Sequence, residues 1–402
     1  MRILASMFHP KGFWPYTGSE RRFCALSQQW KEMGLETLAL EPDPIARDKI
    51  PAGYVPLRVP VSGLSLAHQG ASWFIRAVRL GIFASKKSPF DLVYSTNNNV
   101  FNLAVSYAIA TVLSVPCIAV VHHLRWVDYR DIQEGATDGR PNFSRFLRFL
   151  RDEGVGVGGA IARVMGGYIE SKFLPRFDGF IVVSGPVASQ LAMLVSSRKI
   201  FVVENAPFNS KSTLGSMHPR GMTALSVGRI DEGKGTIELL GTWKKVVEQC
   251  PIARLEIAGD GSLRKRMVTE ASRQGLDRNL RFWGFLDDDE IVKLQSQSRL
   301  FVTLSRTEGF GMAIAEALAA GLPVVAWDTP PLREIFGDCP AVFLCHQGNS
   351  REVISTAVRL LTIPEDHWEE LSAQATNYSR RFSWRRAAEK ELQVLERVRR
   401  DS

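Results

Sequence analysis

Short runs of Val, Ile and Leu alternate with helix-length segments along the whole chain, and few folds are open to that rhythm. In the first half the runs are RILASMF, ETLAL, DLVYS, CIAVV, DGFIVVS and KIFVVE. In the second they are TALSVG, ARLEIAG, LRFWG, LFVTLS, PVVAW and AVFLC. Strands apolar on both faces must be covered on both, and parallel strands need a long return connection, which a helix supplies. The alternation therefore predicts βαβ units wound into parallel sheets. A chain of 402 residues is long for one core. The stretch NAPFNSKSTLGSMHPRG, rich in Ser, Gly, Pro and Asn, is its best linker. Two α/β domains are expected, residues 1–205 and 206–379. A final helix over 380–402, with Leu392, Leu395 and Val398 at helical spacing, is expected to pack back on the first.

Composition removes several classes. A hydrophobic fraction of 45% with 23% charged residues excludes a disordered or collagen-like chain. The five cysteines form no CxxC pair, which argues against a disulfide framework and for a reducing compartment. Cys345 beside His346 has no second ligand pair nearby, so a buried structural role is expected. The opening MRILASMFHPKG reads as a first strand and not a signal peptide. The long uncharged run over 100–121 is diluted by Asn102, Ser106, Thr111, Ser114 and Pro116. It reads as a buried helix and a buried strand, so no membrane span is expected.

A net charge of +8 suits an anionic partner: nucleic acid, an anionic membrane surface or a phosphorylated substrate. The segment 143–151 interleaves Arg145, Arg148 and Arg151 with Phe143, Phe146 and Phe149. It fits a basic amphipathic helix on a membrane surface, or equally a helix packed on the sheet with arginines in solvent. The stretch SWFIRAVRLGIFASKK has the same character.

Three turns in the second half carry chemistry. In SVGRIDEGKG, Gly228, Arg229 and Lys234 follow a strand, where backbone N–H groups and two cations can meet a diphosphate together. In IAGDGS, Gly259 and Gly261 close the next strand and let another backbone crowd the same crevice. In SRTEGFGMAIAEALAAG, Gly309 and Gly311 leave room for a ligand before a helix whose first amides can hold an anion. Glu308 precedes that helix, and Glu316 sits within it among alanines. A buried carboxylate needs hydrogen-bond donors, and ribose hydroxyls would supply two. The bland alternative is a glutamate snorkelling to solvent. The acidic run Asp287 to Glu290 reads as an N-cap and first turn and not as a metal site.

The series GRIDEGKG, AGDG, FWGFLDDDEI, EGFGMAIAEALAAGLPVVA and PPLREI resembles the donor domain of family 4 retaining glycosyltransferases of the GT-B fold. The resemblance implies two Rossmann-like doubly wound domains facing across a cleft. It implies a nucleotide-sugar donor whose diphosphate meets Arg229 and Lys234, with Glu316 on the ribose and Glu308 on the sugar. Backbone groups around Phe310, Gly311 and Met312 would hold sugar and phosphate. In the first half, YTGSERRF keeps Gly18, Glu20 and Arg21 of the family's glycine loop but has Ser19 where a second glycine is usual. His122 best matches the histidine that contacts the transferred sugar, with His123 as the fallback. Asn205, followed by Ala206, is a weak match to an Asn-Gly motif.

The expected activity is transfer of a sugar to a hydroxyl acceptor with retention, in polysaccharide, lipid-linked glycan or glycolipid synthesis. The cations and helix amides would stabilise the departing diphosphate, so no metal and no cofactor beyond the nucleotide-sugar co-substrate is expected. Glycan or lipid-linked acceptors and a cytoplasmic site, peripheral on the inner face of the membrane, complete the expectation. A nucleotide-sugar epimerase or a sugar phosphorylase on the same fold is the alternative; a nucleic-acid-binding protein is more distant. A nicotinamide dehydrogenase would want GxGxxG after the first strand, and MFHPKGFWPYTGS lacks that spacing.

Overall fold

A computed structural model describes residues 1–8, 18–43, 52–63, 65–124, 157–208 and 221–402. The basic segment 143–151 and most of the linker lie outside the described residues. The chain forms two compact units, one of Met1–Asn205 with Ser383–Ser402 and the other of Ala206–Phe382.

The first unit runs β1 (Arg2–Ser6), α1 (Gly18–Glu32), β2 (Glu36–Asp43), β3 (Val55–Pro60), α2 (Leu66–Ser85) and β4 (Leu92–Ser95). It continues through α3 (Val100–Leu113), β5 (Cys117–Val121), α4 (Val157–Phe173), β6 (Gly179–Val182), α5 (Gly185–Leu191) and β7 (Ile200–Val202). All seven strands are parallel, in the order β3-β2-β1-β4-β5-β6-β7. Alternate residues of each strand feed two cores, as a covered parallel sheet requires. Ile3 and Ala5 face Phe23 and Trp30 of α1, while Leu4 faces Trp73 of α2 and Ile109 of α3.

The strand β3 had no counterpart among the expected runs. Pro56 and Pro60 broke its apolar pattern, yet it pairs with β2 at the sheet edge, where a missing N–H costs least. The long uncharged run resolves into α3 and β5, split at Ser114 in the left-handed conformation. Among the described residues no helix is long and apolar enough to cross a membrane.

The second unit runs β8 (Thr223–Val227), α6 (Thr236–Gln249), β9 (Arg254–Ala258), α7 (Arg264–Arg273), β10 (Leu280–Gly284), α8 (Asp288–Gln297) and β11 (Leu300–Thr303). Next come α9 (Met312–Ala319), β12 (Val324–Trp327), α10 (Pro330–Phe336), β13 (Val342–Cys345), α11 (Ser350–Thr362) and α12 (Glu365–Ser379). Its six strands are parallel, in the order β10-β9-β8-β11-β12-β13. The acidic run caps α8: Asp287 accepts from the Glu290 amide and Glu290 accepts from the Asp287 amide, a full capping box.

The last helix, α13 (Trp384–Asp401), packs in the first unit against α1, burying Leu395 and Val398. It also carries Glu391 into the core, where it pairs with Arg22 of α1 at 0% and 2% side-chain exposure. Arg22 donates to Asn205 Oδ1 at 2.6 Å, and the Tyr94 hydroxyl donates to Glu391 Oε2 at 3.1 Å. Every charge in this cluster is thus hydrogen-bonded, which is the condition for burying one. Burial pushes the Glu391 carboxyl up, with Arg22 pulling against it.

Candidate functional site

In an open parallel sheet, neighbouring loops part where the strand order reverses, leaving a crevice outside the carboxyl ends of the strands. In the second unit that point lies between β8 and β11. The turn after β8 carries Gly228, Arg229 and Lys234; the turn after β11 carries Glu308 to Gly311. These turns meet: Lys234 Nζ lies 2.5 Å from Glu308 Oε1, both side chains partly buried. The Arg306 amide donates to the Gly233 carbonyl at 3.1 Å, tying the two loops together.

Glycine is required here by contact and by conformation. Gly259 has φ +144°, and a Cβ there would lie 1.8 Å from the Gly228 carbonyl oxygen. Gly235 has φ +62°, and a Cβ would lie 2.0 Å from the Leu304 carbonyl oxygen. A Cβ on Gly261 would come within 2.3 Å of the Ile230 oxygen. Only bare backbone lets the turns after β8, β9 and β11 stack this closely. Gly311, at φ +93°, is the N-cap of α9, which begins at Met312.

Arg229 is exposed and paired with Asp231 at 3.1 Å. Glu316 is 7% exposed, so it does not snorkel to the surface. The Phe310 ring is buried and meets Phe336 and Phe382 edge-on at 5.8 and 5.5 Å. That side chain is packing, which leaves the backbone of its loop as the part able to face a ligand. Cys345 is buried, and desolvation pushes its thiol up to about 11, while His346 is exposed beside Glu352.

The first unit has its own reversal between β1 and β4. Gly18 and Ser19 open α1 after β1, with Gly18 exposed and Ser19 half-buried. Asn97, after β4, donates toward Ser19 Oγ and Glu20 Oε1, both at 3.4 Å. Sequence reasoning missed Asn97 and Asn98; the signal was the run STNNN closing a strand. Asn98 bonds the carbonyl of His123 at 2.8 Å and the buried Glu170 carboxylate.

His122 follows β5. Its Nε2 is buried with no hydrogen-bond partner among the described residues. Desolvation, then the Arg22 and His123 charges, lower its pKa to about 3 against a hydrogen bond to the Thr96 backbone. The ring is neutral at physiological pH. His123 is exposed, and Asn205 is buried as the partner of Arg22, a structural task. Among the described residues no cluster of three or more His, Cys, Asp or Glu could hold a metal ion.

Two parallel-sheet units, each with a strand-order reversal, are the architecture of the GT-B fold. Residues 219–382, all within the second unit, match the family model of glycosyl transferases group 1. The chain is 27% identical over 201 residues to a GDP-mannose:cellobiosyl-diphosphopolyprenol alpha-mannosyltransferase of Xanthomonas oryzae pv. oryzae, covering 48% of this chain and 52% of that one. It spans about half the length of the curated relatives it matches, from 40% to 52% in three of them. Sucrose-phosphate synthase from Thermosynechococcus elongatus shares its fold with a TM-score of 0.75 at 16% identity over 100% of both chains. Anabaena HepE, solved with UDP and glucose, does so with a TM-score of 0.70 at 16% identity, over 98% of this chain and 99% of that one.

Proposed function

We propose that this chain is a retaining glycosyltransferase that moves a sugar from a nucleotide diphosphate sugar to a hydroxyl of a glycan or lipid-linked acceptor. The observation that carries this reading is the Lys234–Glu308 pair at the β8/β11 reversal, beside turns that only glycine lets stack closely. A cation, a carboxylate and close-packed backbone amides are what a sugar diphosphate asks of a site. Lys234 and Arg229 take the charge that builds on the departing diphosphate, and the amides opening α9 add to it. Glu308, beside Lys234, accepts from sugar hydroxyls, and Glu316 accepts from the ribose. The amides of Gly309, Gly311 and Met312 orient sugar and phosphate. With that charge supplied by protein groups, the reaction needs no metal.

In the first unit, Gly18 and Ser19 bind donor phosphate and neutral His122 contacts the transferred sugar; these roles rest on the family likeness. Retention rests on the same likeness. The acceptor is a growing glycan or glycolipid, and the enzyme works at the cytoplasmic membrane surface, in keeping with its net charge of +8.

A thermal-shift panel of nucleotide sugars tests the reading. The right donor, at 100 times its Kd, stabilises the fold by about 2.7 kcal/mol. Glu316→Ala abolishes the shift for nucleotide sugar and bare nucleotide alike, whereas Glu308→Ala weakens the sugar's part alone. A flat response to every nucleotide sugar sinks the proposal.

A further inference from the structure

Among the described residues, the helix layer over one face of the first sheet includes α2, α3 and α4, which pack side by side in that order. Across these three helices the single carboxylate is Glu170, and it is fully buried. Along these three helices no negative side chain is exposed to solvent. They do show apolar ones: Phe74, Ile75 and Phe83 of α2, Val112 of α3 and Met165 of α4 are exposed, Phe83 by 59%.

On α2 the two characters are interleaved. Ile75, Arg79 and Phe83 stand at i, i+4 and i+8 and so share one stripe. Lys86 and Lys87 continue it past the helix end, and the Lys87 ammonium lies 5.9 Å from the Phe83 ring. Arg76, on the flank, donates to the Pro60 carbonyl at 2.8 Å. The helix has already spent its inward face, burying Trp73 and Ala77 in the core. Its outer stripe is thus surplus to folding, and exposing Ile75 and Phe83 to water is unfavourable unless something covers them.

We infer that the outer stripe of α2, centred on Ile75, Arg79 and Phe83, docks on an anionic phospholipid surface. A bilayer offers what this stripe lacks: acyl boundary for the apolar side chains and phosphate charge for the cations beside them. Nucleic acid answers the cations but leaves aliphatic Ile75 in water, so the lipid is the occupant the chemistry favours. The inference deepens the peripheral placement proposed above and rests on that part of the reading, not on sugar transfer.

The test is co-sedimentation of the full chain with two kinds of vesicle, phosphatidylcholine alone and an equimolar mixture with phosphatidylglycerol. The wild type binds the anionic vesicles and not the neutral ones, and added salt weakens binding. Arg79→Ser with Lys86→Ser lowers the partition coefficient roughly tenfold or more. Ile75→Ser with Phe83→Ser does the same with the charge unchanged. All four side chains are outside the core, so both variants keep the wild-type melting temperature and donor-induced shift. Binding that survives both double substitutions places the membrane contact elsewhere and overturns the inference. Absence of wild-type binding overturns it together with the peripheral placement, leaving the donor shift to judge sugar transfer by itself. Binding to RNA that falls with the charge variant and ignores the Ile75/Phe83 variant also overturns it.

Discussion

Lys234 and Glu308 are 74 residues apart in sequence and 2.5 Å apart in space, joined across the reversal point of the second sheet. The pair neutralises itself, so on the proposed reading a diphosphate draws Lys234 toward its own oxygens. Lys234→Ala and Glu308→Ala each lower kcat/KM by about a hundredfold or more, the scale of losing one preorganised electrostatic contact to the transition state. Release of nucleoside diphosphate from the donor that passes the thermal-shift panel measures it. Turnover within a factor of about two of wild type in either variant would remove the pair from the active site.

Gly259→Ala should be costly through the backbone. Its φ of +144° and the 1.8 Å approach to the Gly228 carbonyl leave no place for a methyl group. Unfolding free energy drops by about 1–3 kcal/mol and donor affinity falls with it. Gly241→Ala, in α6 with open space around it, is the control and changes neither for the worse. Chemical denaturation of both variants gives the comparison.

Breaking the buried Arg22–Glu391 pair on one side strands a charge. Arg22→Met or Glu391→Leu each cost about 3–5 kcal/mol, while the two together cost less than the sum of the singles. A double-mutant cycle from urea titrations reads the coupling. Additive losses would show that the two side chains do not depend on each other.

Neutral His122 makes stability depend on pH. Its folded pKa is about 3, against about 6.5 for a histidine in the unfolded chain. Between those values the unfolded chain holds a proton that the folded chain does not. The contribution is therefore full above pH 6.5 and is lost as pH falls toward 3, at up to about 1.4 kcal/mol per pH unit. His122→Asn removes that slope. Urea midpoints from pH 7 to 5.5, above the range where most carboxylates titrate, isolate it; parallel curves for both proteins would refute the assignment.

The glycines, cations and carboxylates of the second unit stood in contiguous motifs, because each turn lies within a few residues of a strand end and its chemistry is written there. Twelve of the thirteen strands among the described residues could be read from apolar runs for a related reason, since a strand buried on both faces leaves a mark in its own residues. Strand β3 escaped because an edge tolerates proline and exposure. The Ser19–Asn97 contact escaped because it exists only once β1 and β4 are neighbours.

What the sequence determined by itself was local: the period of the elements, the caps and the chemistry of each turn. Tertiary structure decided which turns face each other, and so which charges pair. Arg22 and Glu391 show the difference, 369 residues apart and each unremarked beside its neighbours in sequence. Neither residue type foretells burial, because a charge enters a core only when the fold brings its partner there.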